Sequence, residues 1–154
     1  MKISDIMKEG GILPNLVSHD KAGALRELAS LLVTTFKLKE DSEKLVKILD
    51  EREKLGSTGI GDGIAIPHGK LSSLNEELLV LGRSKEGIDF NSMDGKPTYL
   101  FFLLMGPEEA AGIHLKALAR LSRLLKNASF RESLMKANHP SEIMEMIRLE
   151  DSKY

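Results

Sequence analysis

Cysteine is absent from this chain of 154 residues. Without it the protein forms no disulfide, holds no metal through thiolates and has no cysteine nucleophile, so those three classes of chemistry are excluded. Long apolar runs are missing too. The longest, YLFFLLM at 99–105, falls far short of the roughly 18 residues that a membrane-spanning helix needs. This run suits a buried strand better.

An excess of charge of either sign is also missing. Twenty-two Lys and Arg nearly cancel 23 Asp and Glu, for a formal net charge of −1. Such a balance gives no support to nucleic-acid binding or to binding at a membrane surface. The first residues, MKISDIMKEGG, lack the apolar core and small-residue cleavage site of a signal peptide. We therefore expect a cytoplasmic protein with no membrane insertion.

What the chain does contain is the composition of an ordinary globular protein, with 42% hydrophobic and 29% charged residues. Its length suits one domain with a substantial core. No linker, repeat or low-complexity segment interrupts the sequence. We therefore predict a single domain over residues 1–154.

Helical periodicity marks both sides of the chain's centre. Residues 20–36 carry one apolar stripe, formed by Leu25, Leu28, Ala29, Leu32 and Phe36. A second helix, capped by Asp41 or Ser42, has Leu45, Ile48 and Leu49 on one face, which Arg52 continues. A third helix is predicted over about 112–126. A fourth is predicted to begin at SFRE, residues 129–132, which match a capping box, and a fifth at Pro140.

Four stretches between these helices read as strands: ILPNLV, IAIP, ELLVLGRS and PTYLFFLLM. The last two are almost continuously apolar, which predicts burial on both faces of a sheet. Strands interleaved with helices predict the α/β class and an α/β sandwich.

A glycine-rich stretch, STGIGDGIAIPHGK at Ser57–Lys70, invites a nucleotide-binding interpretation. A Rossmann fingerprint, however, needs a strand before it and a helix after it, and here that order is reversed. A P-loop needs four residues before its Gly-Lys-Ser/Thr. Here five residues separate Gly63 from Gly69, and Leu71 replaces the hydroxyl residue. Both nucleotide hypotheses are disfavoured.

Histidine supplies the remaining candidates for chemistry. His19, His68, His114 and His139 are far apart in the chain and form no HExxH-like pair. A metal site would therefore have to be assembled by the fold, and we expect neither a metal nor a diffusible cofactor. For His68 there is a third hypothesis, besides nucleotide binding and metal binding, in which the side chain acts as a nucleophile. Neutral imidazole, with an ordinary pKa near 6.5, can attack a phosphoryl group to give phosphohistidine.

The surroundings of His68 suit that chemistry. Glycine-rich backbone can present several N–H groups to an anion, and Pro67 restricts how the chain presents His68. Arg52 offers a bidentate fork to phosphate oxygens, and His114 lies near a helix N-terminus, where an anion is favoured. Structural interpretations stand beside these. Arg52 is also explained as a cation in the last turn of its helix, with its aliphatic stem buried. His114 is also explained as a half-buried histidine whose hydrogen bonds are satisfied, and the glycines as residues of a tight turn.

The same residues resemble a known signature. REKLGSTGIGDGIAIPHG at 52–69 is similar to the active-site region of enzyme IIA components of the phosphoenolpyruvate-dependent sugar phosphotransferase system. The resemblance is to the fructose, mannitol and nitrogen-regulatory class, the type-2 IIA domain. It extends from ISDIM near the start to the final helix, and HLKALARLSRLL at 114–125 resembles the second-histidine helix.

The resemblance implies a role for each matching residue. His68 is expected to be phosphorylated, through Nε2, with His114 helping to place the phosphoryl group and Arg52 beside the site. Ser57, Thr58 and Gly59 are expected to line the approach and to offer backbone contacts. The implied fold is a mixed β-sheet flanked by helices, like that of the phosphotransferase/anion-transport-protein group.

The resemblance also implies partners. A histidine-containing phosphocarrier protein is the expected donor and a IIB component the expected acceptor during sugar uptake. The alternative is a nitrogen-regulatory IIA protein, in which phosphorylation of His68 switches binding to regulatory targets. The opening KISDIM leans toward the regulatory relatives.

Overall fold

The computed structural model describes residues 1–154, which form six strands and five helices. The strands are β1 (Ile12–Leu13), β2 (Gly59–Gly61), β3 (Ile64–Ala65), β4 (His68–Lys70), β5 (Leu78–Ile88) and β6 (Thr98–Gly106). The helices are α1 (Lys21–Phe36), α2 (Ser42–Glu53), α3 (Ala111–Leu124), α4 (Ala128–Lys136) and α5 (Pro140–Asp151). None of these helices combines the length and the apolar character that crossing a membrane requires.

All six strands belong to one mixed sheet with the order β1-β5-β6-β3-β2, and β4 also pairs with β6. Strand β6 is central: β5 runs antiparallel to it, whereas β3 and β4 run parallel to it. Strands β3 and β4 occupy successive stretches of the same β6 edge, opposite Leu100–Phe101 and Leu104–Gly106. The segment between them, which contains Pro67, therefore brings His68 back into register with the centre of the sheet.

Helices cover both faces of this sheet, and each face has its own core. Alternate residues of β6 divide between the two cores, with Leu100, Phe102 and Leu104 on one side and Phe101, Leu103 and Met105 on the other. The first set packs with α3, α4 and α5, and the second with α1 and α2. The predicted α/β sandwich with a mixed sheet, and the double-sided burial of its two long strands, are confirmed.

Helices α1, α2 and α4 begin behind side-chain caps, and the cap of α4 differs from the prediction. Asp20 accepts a hydrogen bond from the Gly23 amide at 2.7 Å, and Asp41 accepts one from Glu43. The capping box predicted at Ser129 is wrong. Helix α4 begins at Ala128, because the side-chain oxygen of Asn127 already accepts from the amides of Ser129 and Phe130.

Strand boundaries differ from the prediction in two further places. ILPNLV contributes only Ile12–Leu13, since Pro14 has no N–H to continue a ladder. The predicted strand IAIP is shortened to Ile64–Ala65, which pairs with β2 in a hairpin that the glycine-rich stretch forms. Its turn residues, Asp62 and Gly63, have φ of 56° and 76°, the left-handed conformations that a tight hairpin turn requires.

Candidate active site

His68 begins strand β4 and lies opposite Leu104 of β6. Backbone bonds fasten the chain just before it. The Leu104 amide donates to the Pro67 carbonyl at 2.9 Å, and the Ile66 amide donates to the Thr58 carbonyl at 3.0 Å. His68 is half-buried. Its ring is therefore presented from a fixed strand rather than from a mobile loop.

Both ring nitrogens of His68 have partners, and the partners define the tautomer. Nδ1 lies 2.8 Å from the Ile66 carbonyl oxygen, which can only accept, so Nδ1 carries the proton. Nε2 accepts from Nε of Arg52 at 3.3 Å, a distance slightly beyond the usual range of about 2.7–3.2 Å. Nε2 therefore keeps its lone pair, held by one long hydrogen bond.

The surroundings of His68 favour its neutral form. Burial is the largest effect and lowers the pKa of the ring below its usual value. The hydrogen bond to the Ile66 carbonyl opposes it, whereas the nearby Arg52 and His114 lower the pKa further. A neutral ring is the form that can act as a nucleophile. His68 is thus in the attacking form through the neutral pH range.

Arg52 reaches His68 because helix α2 packs closely on strand β4. A Cβ at Gly69 would lie 2.8 Å from Ile48 Cγ2, so only glycine permits this approach. Arg52 follows Ile48 by four residues and therefore lies on the same face one turn later. Its Nη1 also donates to the Gly56 carbonyl at 2.8 Å.

His114 comes from the opposite layer of the sandwich, in the first turn of α3. Its ring centroid is 5.8 Å from that of His68, with an interplanar angle of 54°. The side chain is buried, and Nδ1 lies 2.6 Å from Oε1 of Glu77. Nε2 has no hydrogen-bond partner. The structure thus brings together His68, Arg52 and His114, as the family resemblance implied.

The loop residues Ser57, Thr58 and Gly59 lie next to this group, but their polar groups point to partners within the protein. The Ser57 hydroxyl donates to the Phe90 carbonyl at 2.8 Å and accepts from the Gly59 amide at 3.0 Å. The Thr58 amide donates to Glu53 Oε1 at 3.0 Å, and its hydroxyl bonds to Oε2 of the same residue. The amides of Thr58 and Gly59 are therefore already engaged.

Two carboxylates at the site were missed in the sequence. Glu53 fastens Thr58 and forms an ion pair with Lys21 at 2.9 Å, and Glu77 holds His114. Glu53 directly follows Arg52, so its proximity to the site could have been inferred. Nothing local distinguishes Glu77 from Glu76, because only the tertiary fold buries the one and exposes the other.

The other two histidines are exposed and separate from this site. His19 lies 3.8 Å from Glu86 at the surface, and His139 precedes helix α5. No group of three or more His, Asp and Glu side chains is arranged to hold a metal ion.

Comparison with known proteins gives a consistent result. The family model for "Phosphoenolpyruvate-dependent sugar phosphotransferase system, EIIA 2" matches residues 5–149. A nitrogen regulatory protein from Bradyrhizobium diazoefficiens is 41% identical over 150 residues, covering 97% of this chain and 96% of the relative. The fructose-specific EIIABC component of Bacillus subtilis is 38% identical over 151 residues. That match covers 98% of this chain but only 24% of the length of the relative.

The fold agrees with a solved structure. The nitrogen regulatory protein IIA-Ntr from Neisseria meningitidis superimposes with a TM-score of 0.88 at 33% identity, covering 94% of this chain and 98% of the other. Similarity therefore extends through both layers of the sandwich and includes the segments that carry the two histidines.

Proposed function

This chain belongs to the EIIA type 2 family of the phosphoenolpyruvate-dependent sugar phosphotransferase system, and we propose that it carries the phosphoryl group on Nε2 of His68. One observation carries the proposal above the others. The Ile66 carbonyl holds the proton on Nδ1, which leaves the Nε2 lone pair as the nucleophile in a ring that burial keeps neutral.

The transfer exchanges one phosphorus–nitrogen bond for another. A histidine-phosphorylated phosphocarrier protein presents its phosphoryl group in line with Nε2 of His68. The bond from phosphorus to the donor imidazole breaks as the bond to Nε2 forms, and the donor leaves with its electron pair. The proton on Nδ1 stays on that nitrogen, hydrogen-bonded to the Ile66 carbonyl, so no base has to remove it. Such a transfer depends mainly on positioning and on stabilising the charge of the three phosphoryl oxygens.

Arg52 has two successive tasks in this scheme. In the free protein its Nε donates to the same lone pair that attacks phosphorus, so that long hydrogen bond breaks first. The freed guanidinium N–H groups then donate to phosphoryl oxygens, where a planar, permanently charged donor is most effective. His114, from the opposite layer of the sandwich, helps to place the phosphoryl group. The roles expected of Ser57, Thr58 and Gly59 narrow to supporting the loop, because the Thr58 and Gly59 amides are engaged internally.

The acceptor proposed first is a IIB component, as part of sugar uptake, because a fructose-specific EIIABC component is 38% identical to this chain. The second candidate is regulation, in which phosphorylation of His68 changes protein binding. The nitrogen regulatory relative favours it by its length, since the alignment covers 96% of that protein. Either scheme uses residues 1–154 as one carrier domain in the cytoplasm, without a metal or a diffusible cofactor.

Phosphorylation with purified components tests the proposal. Incubation with phosphoenolpyruvate, the first enzyme of the system and the phosphocarrier should add the mass of one phosphoryl group, which acid should remove. His68→Ala should abolish this gain, and His139→Ala, a change at an exposed histidine, should leave it intact. A mass gain that persists in His68→Ala would contradict the assignment.

The acceptor distinguishes transport from regulation. The phosphorylated chain, carrying a labelled phosphoryl group, is mixed with a purified fructose-type IIB protein. Transfer of the label from this chain to IIB supports the uptake role. Retention of the label, together with a regulatory target that binds only one phosphorylation state, supports the second candidate.

A further inference from the structure

From the environment of His114 we infer that Glu77 is a positioning residue for phosphoryl transfer, holding the His114 ring so that its Nε2–H donates to a phosphoryl oxygen on His68. This inference rests on the proposed function of His68. It adds a buried carboxylate bonded to Nδ1 of the second histidine.

Glu77 is built into the end of the central sheet. It immediately precedes β5, and its side chain is only 2% exposed. Oε1 accepts from Nδ1 of His114 at 2.6 Å, a short distance typical of hydrogen bonds to ionised groups. The carboxylate lies against Gly106 at the end of β6, where any Cβ would collide with it. The carboxylate is therefore fixed between Gly106 and Nδ1 of His114.

The other nitrogen of His114 is left without a partner. Nε2 is buried and makes no hydrogen bond within the protein, and burying an unpaired polar atom costs free energy. The ring centroid lies 5.8 Å from that of His68. A phosphoryl oxygen joined through phosphorus to His68 fits between the two rings, since a hydrogen bond spans roughly 2.7–3.2 Å. The missing partner of Nε2 is thus the group that His68 carries.

A phosphoryl oxygen only accepts hydrogen bonds, so Nε2 of His114 has to carry a proton when it binds one. With Nδ1–H already directed to Glu77, the ring then holds two protons and a positive charge. The Glu77 carboxylate balances that charge, whereas Arg52 and His68 face the phosphoryl group from the other side. The second proton comes from solvent, and His114 forms no bond to phosphorus. This arrangement orients the donor by a second residue, in the way an aspartate orients a catalytic histidine.

Substitution of Glu77 by glutamine tests this role. Glu77→Gln retains the volume and removes the charge, and Glu76→Gln, at the exposed neighbour, is the matched control. We expect Glu77→Gln to lower the transfer rate at saturating phosphocarrier by about tenfold, the low end of what such supporting residues contribute. The donor concentration at half-saturation should not change, because the buried carboxylate does not touch the donor.

Nitrogen NMR of His114 provides a readout that a purely structural role would not move. In the unmodified wild type the ring proton should reside on Nδ1. In the phosphorylated wild type and in phosphorylated Glu76→Gln both ring nitrogens should be protonated, whereas phosphorylated Glu77→Gln should retain only one proton. A second variant, Gly106→Ala, displaces the carboxylate without changing its charge and should slow transfer in the same direction.

Failure of this inference is distinguishable from failure of the proposed function. If Glu77→Gln transfers phosphate as fast as Glu76→Gln and keeps both protons on His114, the role of Glu77 is wrong while His68 remains the carrier. If the wild type takes up no phosphate on His68, the proposed function fails first. The NMR spectrum of the unmodified protein then still tests the inference. If Nδ1 of His114 carries no proton in the wild type, Glu77 does not accept a hydrogen bond from it and the inference is wrong.

Discussion

The two histidines of the site differ chiefly in what holds their Nδ1. His68 donates to a backbone carbonyl, that of Ile66, whereas His114 donates to a carboxylate, that of Glu77. His68 stands half-exposed at the start of a strand, and His114 is buried in the first turn of a helix from the other layer. Each has Nδ1 fixed, so each has Nε2 available for the reaction.

This difference suits the two rings for different roles in the proposed phosphoryl transfer. A carbonyl dipole fixes the tautomer without adding a full negative charge, so the ring it holds stays neutral and nucleophilic. A carboxylate supports a positively charged ring, which is suited to donating hydrogen bonds to an anion. The difference supports the proposed roles, with His68 as the nucleophile and His114 as the anion-binding partner, although the two imidazole rings are only 5.8 Å apart.

Among the residues that assist His68, the largest effect on transfer is expected from replacing His114. His114→Gln removes the charge that faces the phosphoryl oxygens while retaining an amide that can donate to Glu77. Loss of one donor to developing negative charge costs about 10²–10³ in rate, so we expect transfer to His68 to slow by about 10²-fold. Stopped-flow or quench measurement against wild type checks this. If His68→Gln, rather than His114→Gln, retained transfer, the comparison would be reversed.

Arg52 should have the next largest effect, because its guanidinium first bonds Nε2 of His68 and donates to the phosphoryl oxygens only after that bond breaks. Arg52→Gln removes the hydrogen bond to Nε2 and a positive charge that lowers the His68 pKa. We expect transfer about tenfold slower and a titration midpoint of His68 closer to its ordinary pKa of about 6.5. Arg148→Gln, at an exposed arginine on α5, is the control and should change neither. An unchanged midpoint in Arg52→Gln would show that Arg52 does not lower the pKa of His68.

Much of the fold was readable because its signals are local. Helix α1 follows from an apolar stripe behind the Asp20 cap, and β6 from an apolar run too short for a membrane helix. The predicted strand ELLVLGRS ends too early, because β5 continues to Ile88. Arg83 within that run was not anticipated as a core residue. It is buried and donates to the carbonyls of Leu134 and Ala137, at the end of α4, a partnership that only the tertiary structure reveals.

The site was predictable in part for the same reason. The helix that carries Arg52 and the strand IAIP just before His68 could be placed from the sequence, and so could the helix that carries His114, whereas strand β4 itself was not predicted. The meeting of these elements came from the family resemblance, since periodicity says nothing about which faces pack together. Glu77 depends on the register of β5 against β6, which no local pattern encodes. The tautomer of His68 likewise depends on the single backbone oxygen of Ile66.

The pH dependence of stability provides a smaller test of the neutral state of His68. Burial lowers its pKa in the folded protein, whereas in the unfolded chain the pKa stays near about 6.5. Below that value the unfolded chain binds more protons, so the free energy of unfolding decreases as pH falls from about 6.5 through the folded pKa. Urea denaturation between pH 7.5 and 5.5 should show this decrease, by at most about 1.4 kcal/mol per pH unit. In His68→Gln the decrease should be smaller. Equal slopes would mean that His68 protonates equally in both states.

The smallest effect on transfer is expected in the loop, because Thr58 supports the nucleophile's side of the site without facing the phosphoryl group. Thr58→Val keeps the shape of the side chain but removes the hydroxyl bond to Glu53, leaving one buried carboxylate oxygen with a weaker set of partners. We expect the free energy of unfolding to fall by about 1–2 kcal/mol and transfer to slow less than in Arg52→Gln. Thr34→Val, at an exposed position of α1, controls for the β-branched replacement and should be nearly neutral. If Thr58→Val instead slowed transfer as much as His114→Gln, the loop would have to contact the phosphoryl group, and the work attributed to the two histidines and Arg52 would be shared with it.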